Sequence, residues 1–179
     1  INDNLTNSGS TSALIRYRIT PTGPGGCVGS FVDYLVTVNA VPDISASNDQ
    51  ICSGENTNIA ITNPNGVPGT AFSWTIGTVT GVVSGQAAGS GTGITQTLTS
   101  ADGGSVEYII TPEANSCGGS SISVIVQVDP IPIGIPVSSG TYVTCSAETI
   151  NITPTLSQGT PGNFLWAGSN GSGGTGDII

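Results

Sequence analysis

The stretch Ser105-Val-Glu-Tyr-Ile-Ile-Thr-Pro-Glu-Ala-Asn-Ser-Cys-Gly-Gly-Ser-Ser-Ile-Ser-Val-Ile-Val-Gln-Val128 decides the fold. Its β-branched and aromatic residues fall in two short alternating runs, 105–111 and 121–128, separated by turn-forming residues. Side chains alternate between the faces of a strand, so each run reads as a strand and the pair as a hairpin. Much of the wording recurs. Tyr17-Arg-Ile-Thr-Pro21 matches Tyr108-Ile-Ile-Thr-Pro112, and Cys27-Val-Gly29 matches Cys117-Gly-Gly119. Ile1-Asn-Asp-Asn-Leu5 matches Ile94-Thr-Gln-Thr-Leu98, Cys52-Ser-x-Glu55 matches Cys145-Ser-x-Glu148, and Phe72-Ser-Trp74 matches Phe164-Leu-Trp166. The offsets, 90 to 93 residues, mark a tandem repeat.

Phasing the repeat sets the boundaries. Residues 43–132 form one complete repeat, 1–42 the C-terminal half of the repeat before it, and 133–179 the N-terminal half of the next. We expect both half-repeats to be completed by chain beyond residues 1 and 179. Asn39-Ala-Val-Pro42 and Asp129-Pro-Ile-Pro132 each follow a last strand and precede a first one. Proline fixes φ and stiffens such joints. The array should therefore be a rod, each repeat adding roughly 30–40 Å from strands of about eight residues rising ~3.3 Å each.

Within the complete repeat the alternation predicts a first strand split between 44–47 and 50–52, then strands at 58–62, 70–76, 79–84, 94–99, 105–111 and 121–128. Residues 85–93 read as a flexible inter-strand loop, and the stretch after Trp166 is eight residues shorter than the one after Trp74. No segment keeps a period of 3.6, so no helix is expected. Seven short strands in about ninety residues is the count of an immunoglobulin-like sandwich. The fold class is all-β.

Composition removes whole classes of function. The chain has no His, Lys or Met, its only basic residues are Arg16 and Arg18, and its net charge is −9. His-activated nucleophiles, Schiff-base lysines, P-loops and His-containing zinc sites need side chains that are absent. Nucleic acid demands a basic footprint, and anionic membranes favour one. No apolar run is long enough to span a bilayer. Low charge and recurring cysteines suit an oxidising, extracellular setting.

Four positions per repeat stand out. Phe72 and Trp74 share one strand face, and a Trp on the third strand of a sandwich packs in the core; Trp166 holds the same phase. The competing reading of these tryptophans is an exposed platform for a sugar ring. Tyr17 and Tyr108 also share a phase, where a tyrosine tucks its ring inward and bonds nearby backbone through its hydroxyl. One cysteine follows the first strand (Cys52, Cys145) and one lies in the last hairpin loop (Cys27, Cys117). The simplest pairing is Cys52 with Cys117, stabilising by about 4 kcal/mol in the chain-entropy model. Cys27 and Cys145 then have partners outside the sequence. Bridges between successive repeats, or free thiols, are the alternatives. Asp43, Asn48 and Asp49 gather after the first junction, where hard oxygen ligands would suit a structural calcium; the second junction offers only Asp129, so a solvated turn is the default and no cofactor is assigned. Glu55 and Glu148 recur in a tight turn with no pocket-forming insertion, so no enzyme is expected.

The pattern Cys-Ser-Gly-Glu, Phe-Ser-Trp-Thr, Gly-Ser-Gly-Thr-Gly-Ile, Val-Glu-Tyr-Ile-Ile-Thr-Pro, Cys-Gly-Gly, Val-Gln-Val-Asp-Pro-Ile-Pro resembles the PKD-like repeats of giant cell-surface proteins of Bacteroidota, and within them the gliding-motility adhesins of the SprB type. Cys145-Ser-Ala-Glu148 departs from it, having alanine where glycine is usual. The resemblance implies a cell-surface filament or adhesin exported by the type 9 pathway, with neighbouring repeats as partners and a surface polysaccharide or other substratum as target. It carries over no catalytic residues. A carbohydrate-binding module acting through the loops after Phe-x-Trp, and a spacer of a secreted hydrolase, are the rival readings.

Overall fold

The computed structural model describes residues 1–135, 153–159, 163–167 and 173–176. In chain order the strands are β1 (Ala13–Ile19), β2 (Val32–Val38), β3 (Asp49–Cys52), β4 (Ile59–Ala60), β5 (Ala71–Gly81), β6 (Gly89–Ser90), β7 (Gly93–Ile94), β8 (Gly104–Ala114), β9 (Cys117–Gly118), β10 (Ile122–Asp129), β11 (Ile133–Ile135), β12 (Thr155–Gln158), β13 (Phe164–Ala167) and β14 (Gly173–Gly176). Among the described residues the only helical element is a 3-10 turn, Pro24–Gly26.

The complete repeat is a sandwich. One sheet runs β3-β10-β8-β5-β6, with β9 folded back on β8. The facing layer is built on β4-β7 and extended by single bridges, Ser45 to Thr62, Asn56 to Thr97 and Ser84 to Thr99. The split first strand arises here. Ser45 belongs to the second layer, whereas residues 49–52 run parallel to β10 in the first, Val126 opposite Asp49 and Asp129 opposite Cys52.

Between the layers lie Ile44, Ile51, Ile59, Ile61, Phe72, Trp74, Val83, Ile94, Leu98, Val106, Tyr108, Ile110, Val124, Val126 and Val128, all buried in one cluster. β8 and β10 show why the alternation read so cleanly: their burial patterns switch residue by residue, so one face is core and the other is not. The cluster is contained within residues 44–128, so segment 43–132 carries its own core. Folding it buries apolar area at about 25 cal/mol per Å².

One strand assignment is corrected. Residues 79–81 are not the start of a separate middle strand but the end of β5, still paired with β8 after a register shift between Ile76 and Val79. Only beyond Gly81, at φ +70, does the chain leave for the other layer. Glu107 makes the bulge. Its carboxylate accepts from Thr78 N–H (2.9 Å) and from Ser123 Oγ (2.6 Å). A Cβ on Gly77 would lie 2.5 Å from Glu107 Oε2, so a side chain there would push the carboxylate out of its present position.

The Ser123 and Thr78 bonds hold the Glu107 carboxyl below its ordinary 4.5. The charged form is favoured by folding, so its contribution is present above the ordinary value and lost as pH falls through the depressed one. In Glu107→Gln that acid-limb loss should be smaller than in the parent, read as urea midpoints between pH 6 and 3. Equal slopes would mean the carboxylate does not hold the bulge.

Residues 13–38 form a hairpin of the same register. β1 pairs with β2, Tyr17 opposite Tyr34, as β8 pairs with β10, Tyr108 opposite Val124. Further along, β13 pairs with β14, Trp166 opposite Gly174, as Trp74 lies opposite Gly89.

Candidate functional site

Trp74 is buried in the core and its indole N–H donates to Ala87 O at 3.1 Å. Gln96 clamps the same residue from the other side, Oε1 accepting from Ala87 N–H (2.9 Å) and Nε2 donating to Ala87 O (2.7 Å). Tyr108, fully buried, donates its hydroxyl to Gln96 Oε1 at 2.8 Å. Burial raises the phenol to about 12, so it stays a neutral donor throughout the physiological range. Its partner is thus a side chain and not the nearby backbone expected from its position.

The stretch 85–93 is correspondingly no free loop. It packs on Trp74 so closely that a Cβ on Gly89 would lie 2.7 Å from the indole ring, and it contributes β6 to the sheet. Phe72, Trp74 and Tyr108 all sit in the core cluster. The Trp166 side chain and Cys145 lie outside the described residues.

The tyrosine link recurs where the repeat predicts. Tyr17 donates to Asp3 Oδ2 at 2.8 Å, and Asp3 stands at the phase of Gln96. That bond is the main reason the Tyr17 phenol is raised. The groove beside it, lined by Ile1, Asp3, Leu5, Tyr17, Ile19 and Tyr34 among others, occupies the place of the core in the complete repeat. Ile19 is 41% exposed and Tyr34 58%, whereas their counterparts Ile110 and Val124 are 0% and 1%. The apolar side chains that line this groove are therefore open to solvent where their counterparts in residues 43–132 are covered.

The two poles of the complete repeat differ. At the entry pole Asn39 donates to Asn115 O (3.0 Å), Asn65 donates to Val41 O (2.9 Å), and Asn65 Oδ1 accepts from Asp43 N–H (3.1 Å). Ala40, Val67 and Ala114 form a small buried cluster beneath. At the exit pole the Cys52–Glu55 turn closes through Glu55 N–H to Cys52 O (3.0 Å) and Cys52 N–H to Glu55 Oε2 (2.9 Å). Glu55 is a turn-closing residue. Ser53 N–H donates to Asp129 O (2.8 Å), tying that turn to the end of β10.

These poles overturn the pairing of Cys52 with Cys117. Cys52 lies level with Asp129 at the exit, Cys117 level with Ala114 at the entry. β8, 11 residues long, separates the levels, a span of about 30 Å at ~3.3 Å per residue. A disulfide needs Cα atoms within about 7 Å. Among the described residues Cys27, Cys52 and Cys117 are not bridged to one another, and the first two are exposed.

Asp43, Asn48 and Asp49 do not converge either. Asp43 Oδ1 accepts from Ile44 N–H, Asn48 Oδ1 from Ile125 N–H, and the two Asp49 oxygens from Gln50 and Asn58 N–H. Each is spent on satisfying backbone where the first strand changes sheet. Among the described residues no group of three His, Cys, Asp or Glu is placed to hold a metal ion. Both arginines approach Asp33, Arg18 Nε at 2.8 Å and Arg16 at 4.0 Å, so the scarce positive charge is locally neutralised.

A family profile described as PKD-like domain matches the chain twice, over residues 1–42 and 49–132. No curated protein matches it.

Proposed function

The chain belongs to the PKD-like domain family, an immunoglobulin-like class of structural and adhesion-type modules that are typically non-catalytic, and from that premise we propose that it is a stalk segment of an extracellular bacterial adhesin. The observation that carries this reading is the joint at residues 39–43. The first family match ends there, at residue 42, and the second begins at residue 49; the joint is fixed by the Asn39–Asn115 bond and by Ala40 packed against Val67 and Ala114. A joint with its own buried cluster limits bending more than a bare linker does. The resemblance to Bacteroidota surface proteins extends the proposal to a gliding-type adhesin, exported by the type 9 pathway and held at the cell surface, gripping a polysaccharide or other substratum. Stiff reach, rather than chemistry, is the service rendered.

Small-angle scattering tests the mechanical core of this reading. The parent chain should scatter as an extended particle, and Val67→Asp, which puts a charge into the joint cluster, should broaden its distance distribution while the far-ultraviolet spectrum stays β. A parent that scatters as a compact sphere overturns the stalk.

A further inference from the structure

We propose that successive repeats are stapled by disulfides across each joint, between the first-strand cysteine of one repeat and the last-hairpin cysteine of the next. The proposal rests on the reading of the repeats as consecutive stalk modules.

The register supplies the argument. Cys52 lies opposite Asp129 on the neighbouring strand, one strand spacing of about 4.8 Å away. Asn39 is the residue that holds the phase of Asp129 in the first repeat. Its side chain reaches across the joint to Asn115 O at 3.0 Å, two residues before Cys117. The first-strand cysteine of a preceding repeat therefore belongs beside Asn39, and Cys117 stands on the facing loop of the same joint. The loop is built to present that cysteine. Asn115 and Ser116 take left-handed φ values of 50 and 63, and Gly25 and Gly26 take 81 and 80 just before Cys27. Two consecutive positive φ values make the tight primed turn that fixes a hairpin end. Cys52 is held equally firmly, by the Glu55 turn, and its thiol side is exposed. Each repeat thus carries one thiol per pole, and within the present sequence no two cysteines belong to the same joint.

The chemistry balances by exchange. One thiolate attacks a disulfide of a small molecule or an oxidoreductase, and the second thiol displaces it. The joint gains one S–S bond, and the donor leaves as two thiols carrying the two electrons and two protons.

The mechanical consequence follows from connectivity. With every joint stapled, tension can pass from Cys117 along the chain to Cys145, cross to the hairpin two repeats beyond Cys117, and continue. Only 28 residues separate Cys117 from Cys145, a covalent path of about 100 Å at ~3.5 Å per residue for two repeats. Load would run along β10 and the first strand of the next repeat, and where the rest of a sandwich unfolded two repeats could lengthen only as far as that path.

The test is a chain carrying residues 43–132 twice in tandem, oxidised with glutathione disulfide and mapped by peptide mass spectrometry. Segment 43–132 has its own core, so each copy folds. The expected product has one bridge, from Cys52 of the first copy to Cys117 of the second, with the other two thiols alkylatable. A bridge within one copy, or four alkylatable thiols in a folded chain, overturns the staple. Scattering from the Cys52→Ser, Cys117→Ser tandem tests the stalk separately: where mapping of the parent tandem finds no bridge, a rod-shaped variant refutes only the staple, and a compact variant refutes the stalk as well.

Discussion

Trp74→Ala should destabilise the complete repeat by about 3–5 kcal/mol, the cost of removing a large aromatic from a packed core. Three losses coincide. The side chain is buried among the core cluster, its N–H is the donor to Ala87 O, and Gly89 lies against its ring with no side chain to collapse into the cavity. For a domain of this size each kcal/mol moves the thermal midpoint by roughly 4–8 °C, so near-ultraviolet circular dichroism on heating reads the effect directly. The same change should free residues 85–93, seen as faster amide exchange at Ala87. A cost below about 1 kcal/mol would mean that the indole is not a core residue, and would restore the exposed sugar platform that its sequence position also allowed.

Thr57→Val should cost about 1–3 kcal/mol, the penalty of leaving a buried polar group unpaired. Thr57 is fully buried, yet the core around it is apolar. Its hydroxyl donates to Ile94 O and accepts from Gln96 N–H, both at 2.9 Å. It thereby holds the backbone of Gln96, whose side chain joins Tyr108 to Ala87, the residue that also accepts from Trp74. Valine keeps the shape and removes both bonds, so packing loss does not confuse the result. Urea unfolding of the parent, Thr57→Val and Thr57→Ser checks it. Serine should retain most of the stability, and a valine variant as stable as the parent would show the bonds to be replaceable.

Much of this site was legible because its parts are local. Phe72 and Trp74 are two apart on a strand, and alternation alone sends both to the same side. The clamp that joins them to Tyr108 was missed. The signal was nonetheless present, for Asp3 and Gln96 are the central residues of matching Ile-x-x-x-Leu stretches, and both accept from the repeat tyrosine. Each stands two residues from both the Ile and the Leu, on the strand face they share, so a polar residue recurring there marks an acceptor for the tyrosine. The length of β5 was not legible, because Gly77 and Thr78 break the alternation and only Glu107, from a strand far off in sequence, restores the pairing. Asp43, Asn48 and Asp49 looked like a cluster because proximity in sequence is not convergence in space; each turns to a different N–H.

The period, the strands and the inward faces were readable from the chain alone, which fixes them because side-chain alternation and turn chemistry act over a few residues. The chain also shows that each repeat holds one cysteine after its first strand and one in its last hairpin. Which cysteines can meet depends instead on how the strands are ordered and directed in the sheets. β3 runs parallel to β10 and ends at the exit, while the β8–β9 turn closes at the entry. Strand direction is set by packing across the whole sandwich, and it puts the length of a domain between two thiols that the repeat pattern alone had paired.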